Sequence, residues 1–92
     1  MTMAYRKQWR AELDHELAVW SKKTPKQLIL ELPETKAYQV NVGNSTYQVE
    51  VDLLENTESY LHVGVGVDDG RLPASMFPVT DSFILSKRED LP

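Results

Sequence analysis

The spacing of apolar residues changes once along this chain, between Trp20 and Leu28, and that change limits the folds open to it. In AYRKQWRAELDHELAVW, Tyr5, Trp9, Leu13, Leu17 and Trp20 recur every three or four positions, the period of one helical face. Arg10 and Asp14 fall on the polar side as an i,i+4 pair of opposite charge. Pro25 has no amide hydrogen and restricts Thr24, so the spacing predicts a helix over 3–22.

From Gln27 the period becomes two. Leu28, Leu30 and Leu32 alternate with polar or outward positions, as do Tyr38, Val40 and Val42, then Tyr47, Val49, Val51 and Leu53, then Leu61, Val63, Val65 and Val67. Such alternation marks strands with one buried face, and short polar connectors mark hairpins between sequential strands. The expected strands are 27–32, 36–42, 47–55, 59–67 and 71–77, the last a short edge strand because Pro73 cannot donate to a ladder. Residues 79–86 fit either a strand or a short helix, and 87–92 read as a frayed tail.

Face matching supplies a register. Pairing Leu32 with Lys36 sets Leu30 opposite Tyr38. Pairing Val42 with Tyr47 sets Val40 opposite Val49, and a loop over 56–58 sets Val51 opposite Val63; a two-residue slip would keep the same faces. The segment HVGVGVDDGR then reads as a strand ending in a turn with Asp69 and Gly70 at its centre, placing Val67 opposite Leu72.

These readings give an α+β fold: one N-terminal helix packed on a four- to five-stranded antiparallel meander, a two-layer sandwich. Ninety-two residues are enough for one core, so 1–92 is a single domain. No apolar run is long enough to cross a bilayer, and the N-terminus lacks the apolar segment and small-residue site of a secretory signal; a cytoplasmic setting is expected. The chain has no cysteine, so it has neither disulfide nor thiolate chemistry.

The net charge of -4 is unevenly spread: residues 1–26 sum to +3 and residues 27–92 to -7. The basic helix is expected to neutralise an acidic sheet, and a body of that sign argues against nucleic-acid binding. Gly64 and Gly66 sit inside an alternating strand rather than at a strand-to-helix turn, so they are no phosphate fingerprint. Asp68 and Asp69 lack the spacing of a calcium loop, His15 has no partner histidine at i+4, and no serine stands in a GxSxG elbow. No catalytic residue, metal site or cofactor is expected. Trp9 and Trp20 read as core.

One face remains as a candidate. The glycines alternate out of phase with the valines, so they floor the outer side of the sheet. The register above sets Asp52 opposite His62, Glu50 opposite Gly64 and Gln48 opposite Gly66, with Gln39 and Asn41 alongside. The expected function is a non-enzymatic protein-interaction module that meets a protein partner or a second copy of itself through this face, the short fifth strand or the C-terminal segment. It is either self-associating or an acidic inhibitor or immunity-like protein. The alternative is a small-molecule or metal-binding protein or weak enzyme built on His62 beside a carboxylate.

Overall fold

The computed structural model describes the backbone of residues 3–69 and 79–87 and the side chains of 7–69 and 79–87. Its element order is α1 (Met3–Ser21), α2 (Pro25–Glu31), β1 (Lys36–Val42), β2 (Ser45–Asn56), β3 (Tyr60–Asp68) and β4 (Val79–Ser86). The four strands form one antiparallel sheet in the order β1-β2-β3-β4, a meander with helices against one face.

The helical face of α1 is buried where its period predicts. Trp9, Leu13 and Trp20 are buried and Leu17 packs beside them, while Arg10 and Asp14 meet in the solvent at 3.1 Å. The helix packs chiefly on β3 and β4 and reaches β1 at its C-terminal end, where Trp20 and Tyr38 rings lie 6.5 Å apart. Every second residue of β2 and β3 completes the core: Tyr47, Val49, Val51, then Leu61, Val63, Val65 and Val67. Among the described residues one buried side-chain polar atom, Trp9 Nε1, has no hydrogen-bond partner.

Residues 27–32 are not the expected strand. Pro25–Glu31 is a helix capped by Thr24, whose side chain accepts from the Gln27 amide while the Gln27 side chain accepts from the Thr24 amide. This is a capping box with proline at the helix start, so the proline that ends α1 also opens α2. Leu28, Leu30 and Leu32 fit a period of two, but only Leu28 and Leu32, one turn apart, are buried; Leu30 is 80% exposed. Alternation over five residues cannot separate the two periods, and the cap chemistry decides.

The hairpin registers differ from those expected by two residues, which preserves every face. Val42 pairs with Ser45, Val40 with Tyr47 and Tyr38 with Val49, because the connector is a two-residue Gly43-Asn44 turn. Gly43 has φ of 60° and no non-glycine residue shares a positive φ among the described residues, the pattern of a type II′ turn with glycine first. On the other side Val51 pairs with Val65 rather than Val63, and a bulge between Leu53 and Glu55 restores pairing at Glu55 with His62.

The neighbour of β3 is the C-terminal segment. Val79–Ser86 is a strand, with Val67 opposite Val79 and Val63 opposite Phe83, so β3 has no place for the expected pairing of Val67 with Leu72. The expected strand 71–77 and residues 88–92 of the expected frayed tail 87–92 lie outside the described residues, whereas Lys87 is held, its amide donating to the Ser59 carbonyl at 2.9 Å and its Nζ to Asn56 Oδ1 at 2.6 Å.

Candidate functional site

Alternation places Gln39, Asn41, Gln48, Glu50 and Asp52 on the face turned away from the helices, together with His62, Gly64 and Gly66. The registers sort them into rows. Gln39 lies beside Gln48, and Asn41 beside Thr46, whose hydroxyl donates to Asn41 Oδ1 at 2.8 Å. Glu50 stands opposite Gly66 and Asp52 opposite Gly64, each with a hydroxyl beyond: Thr80 across from Gly66 and Ser82 across from Gly64.

Glu50, Asp52, Gly64 and Gly66 therefore belong to one open groove of about 400 Å³, with Leu54 at one end and Asp68 at the other. Its floor is glycine, one wall carries carboxylates from β2, and the other carries Thr80 and Ser82 from β4. No lysine or arginine lines it among the described residues. Asp52 also accepts a hydrogen bond from the Thr35 hydroxyl, which fixes it against the start of β1. Gln39, Asn41 and Gln48 lie on the same face but do not line the groove.

His62 does not meet Asp52. The two-residue shift and the bulge carry it to Glu55, whose Oε1 lies 3.6 Å from His62 Nδ1, and His62 Nε2 is 2.9 Å from Ser82 Oγ. Glu55 also approaches the Tyr60 hydroxyl at 3.3 Å, and its charge pushes the Tyr60 phenol up. Glu55 and Ser82 escaped the sequence reading, since one depends on a bulge and the other on β4 lying beside β3.

The order Ser82, His62, Glu55 is that of a nucleophile, a base and an orienting carboxylate. The surroundings do not complete it among the described residues. The Ser82 amide donates to Asp81 Oδ1 at 2.8 Å, so it is occupied rather than turned toward an incipient oxyanion. Glu50 and Asp52 nearby would oppose negative charge on a tetrahedral intermediate, whereas acyl transfer needs donors at that place. Asp81 itself points to the helix side, where Arg10 Nη2 meets it at 2.7 Å; the Ser82 amide first, then Arg10, hold its carboxyl below the usual range.

No group of three or more His, Cys, Asp or Glu is placed to hold a metal ion among the described residues. Nor is any described helix long and apolar enough to cross a membrane. Comparison with known proteins finds no matching family model, no matching curated protein and no matching solved structure.

Proposed function

We propose that this chain is a protein-interaction module whose outer sheet face receives an extended, basic segment of a protein partner. The observation that carries the reading is the groove over Gly64 and Gly66, walled by Glu50 and Asp52 and free of lining cations among the described residues. With strands about 4.8 Å apart, β2 and β4 stand roughly 10 Å apart across β3, enough for one extended chain to lie over the glycines. Lysine or arginine side chains of that chain would meet the carboxylates, and Thr80 and Ser82 would serve its polar groups. The balance of -7 over residues 27–92 would draw such a partner by long-range attraction.

The test is calorimetric titration with an alternating Lys/Val peptide and an alternating Glu/Val control. Binding of the basic peptide that weakens with salt and is lost in the double variant Glu50→Lys, Asp52→Lys supports the proposal. Equal binding of the acidic control, or binding that survives the reversal, removes it.

Self-association is a second reading, favoured by Ile84, which is 63% exposed on β4, the outermost strand among the described residues, and by Leu54, 52% exposed on the same face. Native mass spectrometry separates the two. A dimer that Ile84→Lys converts to monomer supports self-association, and a monomer for the unaltered chain leaves the heterologous partner.

A further inference from the structure

On the other face of the sheet, the interface between α1 and β1 contains two acids. Glu12 and Glu16 stand one helical turn apart and are only 9% and 4% exposed. Buried carboxylates of like charge at i and i+4 repel each other, and desolvation adds to that cost, so the pair is held most stably with one proton between its members.

The surrounding hydrogen bonds indicate which member carries the proton. Trp20 Nε1 can only donate, and it donates to the Tyr38 hydroxyl oxygen at 2.8 Å. The Tyr38 proton is in turn donated to Glu16. Glu16 is thus the acceptor at the end of a directed chain from Trp20 through Tyr38, and among the described residues the carboxyl of Glu12, one turn away, is a further donor to it when protonated.

We propose that this cluster is a proton-dependent clasp: α1 is seated on β1 while Glu12 and Glu16 share a proton, and the contact loosens when both are ionised. The proposal concerns the helix side of the sheet and is independent of the outer groove.

Among the described residues, groups from α1, β1 and β2 face the pair. On α1, His15 lies near Glu12 and opposes its protonation. From β1 comes Tyr38, whose phenol is pushed far up by burial first and then by its bond to Glu16. From β2 come Ser45 and Tyr47, which line an open cleft with Gln8, Glu12 and His15. Lys23 and Lys36 lie over the Trp20 ring at 5.1 and 5.6 Å, and their ion pairs are with Glu31. Burial first, then the hydrogen bond and charge of Glu16, raise Glu12 from the ordinary 4.5 to about 7.

The direction follows. A folded-state value above the unfolded one means that the folded chain binds the proton more tightly. The contribution is complete below about 4.5 and is lost as the pH rises through about 7. The cleft beside Glu12 gives water a path to the charged pair, so loosening begins on that side.

The test is urea unfolding from about pH 5 to about pH 8, with the Trp20 indole N–H followed by NMR over the same range. In Glu12→Gln a side-chain amide donates to Glu16 at every pH. The expected result is a wild-type urea midpoint that falls across this range and an indole resonance that moves with a midpoint near 7, while both stay level in E12Q. Parallel falls in the two proteins, or an indole that does not respond in wild type, would overturn the clasp. If E12Q does not fold, carbon-detected titration of the Glu12 carboxyl in wild type decides: a midpoint near 7 supports the clasp and one near 4.5 overturns it.

Discussion

Gly66 faces Thr80 across the β3–β4 ladder, and a Cβ added at Gly66 would lie 3.4 Å from Thr80 Cγ2 and 4.0 Å from the Val79 carbonyl oxygen. These are ordinary van der Waals distances, and Gly66 has no positive φ. The groove floor is open at this position because glycine stands there, not because the backbone requires glycine.

Gly66→Ala is therefore expected to raise stability by roughly 0.5 to 1 kcal/mol, the entropic disadvantage of glycine in a strand, and to raise the floor of the groove. Thermal unfolding together with titration of the basic peptide would show a higher melting temperature and weaker binding. At Gly64 the added Cβ would come within 3.0 Å of Leu54 Cδ1, so Leu54 must turn outward and the gain in stability should be smaller. A Gly66→Ala protein that is destabilised would contradict the geometry at this position.

Leu61 and Ile84 test the assignment of faces. Leu61 is fully buried and Ile84 is 63% exposed. Urea denaturation should show Leu61→Ala losing about 2 to 5 kcal/mol and Ile84→Ala changing by less than about 0.5 kcal/mol. Comparable losses would mean that β3 or β4 presents the opposite face to the helix.

Removal of the Tyr38 hydroxyl by Tyr38→Phe strands two groups at once, since Trp20 Nε1 loses its acceptor and Glu16 loses its donor. Unsatisfied buried polar groups make the expected cost about 1 to 3 kcal/mol, although the ring itself is kept. Tyr47→Phe removes a hydroxyl that makes no hydrogen bond among the described residues and serves as the control in the same chemical-denaturation series; equal effects would argue against the directed chain.

The short helix α2 depends on its cap. Thr24→Ala removes the acceptor of the Gln27 amide and is expected to lower stability by about 1 kcal/mol, while Thr24→Ser should largely retain it. Hydrogen exchange at the Gln27 amide offers a local check: its protection should fall in the alanine variant and persist in the serine variant.

The candidate face was legible in the sequence as a set, and less so as an arrangement. Glu50, Asp52, Gly64 and Gly66 do share a groove, because alternation assigns faces and a two-residue slip does not alter them. The pairing of Asp52 with His62 failed for the same reason: parity permits several registers, and the Gly43-Asn44 turn and the bulge at Leu53/Glu55 choose among them. The buried acids Glu12 and Glu16 gave no signal in the apolar pattern, since their burial comes from where α1 crosses β1.

What the sequence by itself determined is the class and the faces: one helix of period near 3.6, strands of period two, and valines inward with glycines outward along β3. These are local properties, set by backbone geometry that every residue obeys without reference to distant ones. Only the tertiary structure decided that 25–31 is a helix, that β4 lies beside β3, which hydroxyls face the glycines, and that two carboxyls share a buried site. The helix at 25–31 follows from its local Thr24–Gln27 cap together with the burial of Leu28 and Leu32, whereas the other outcomes rest on contacts between residues far apart in the chain, such as Arg10 with Asp81 and Tyr38 with Glu16, whose energies depend on packing and desolvation rather than on spacing.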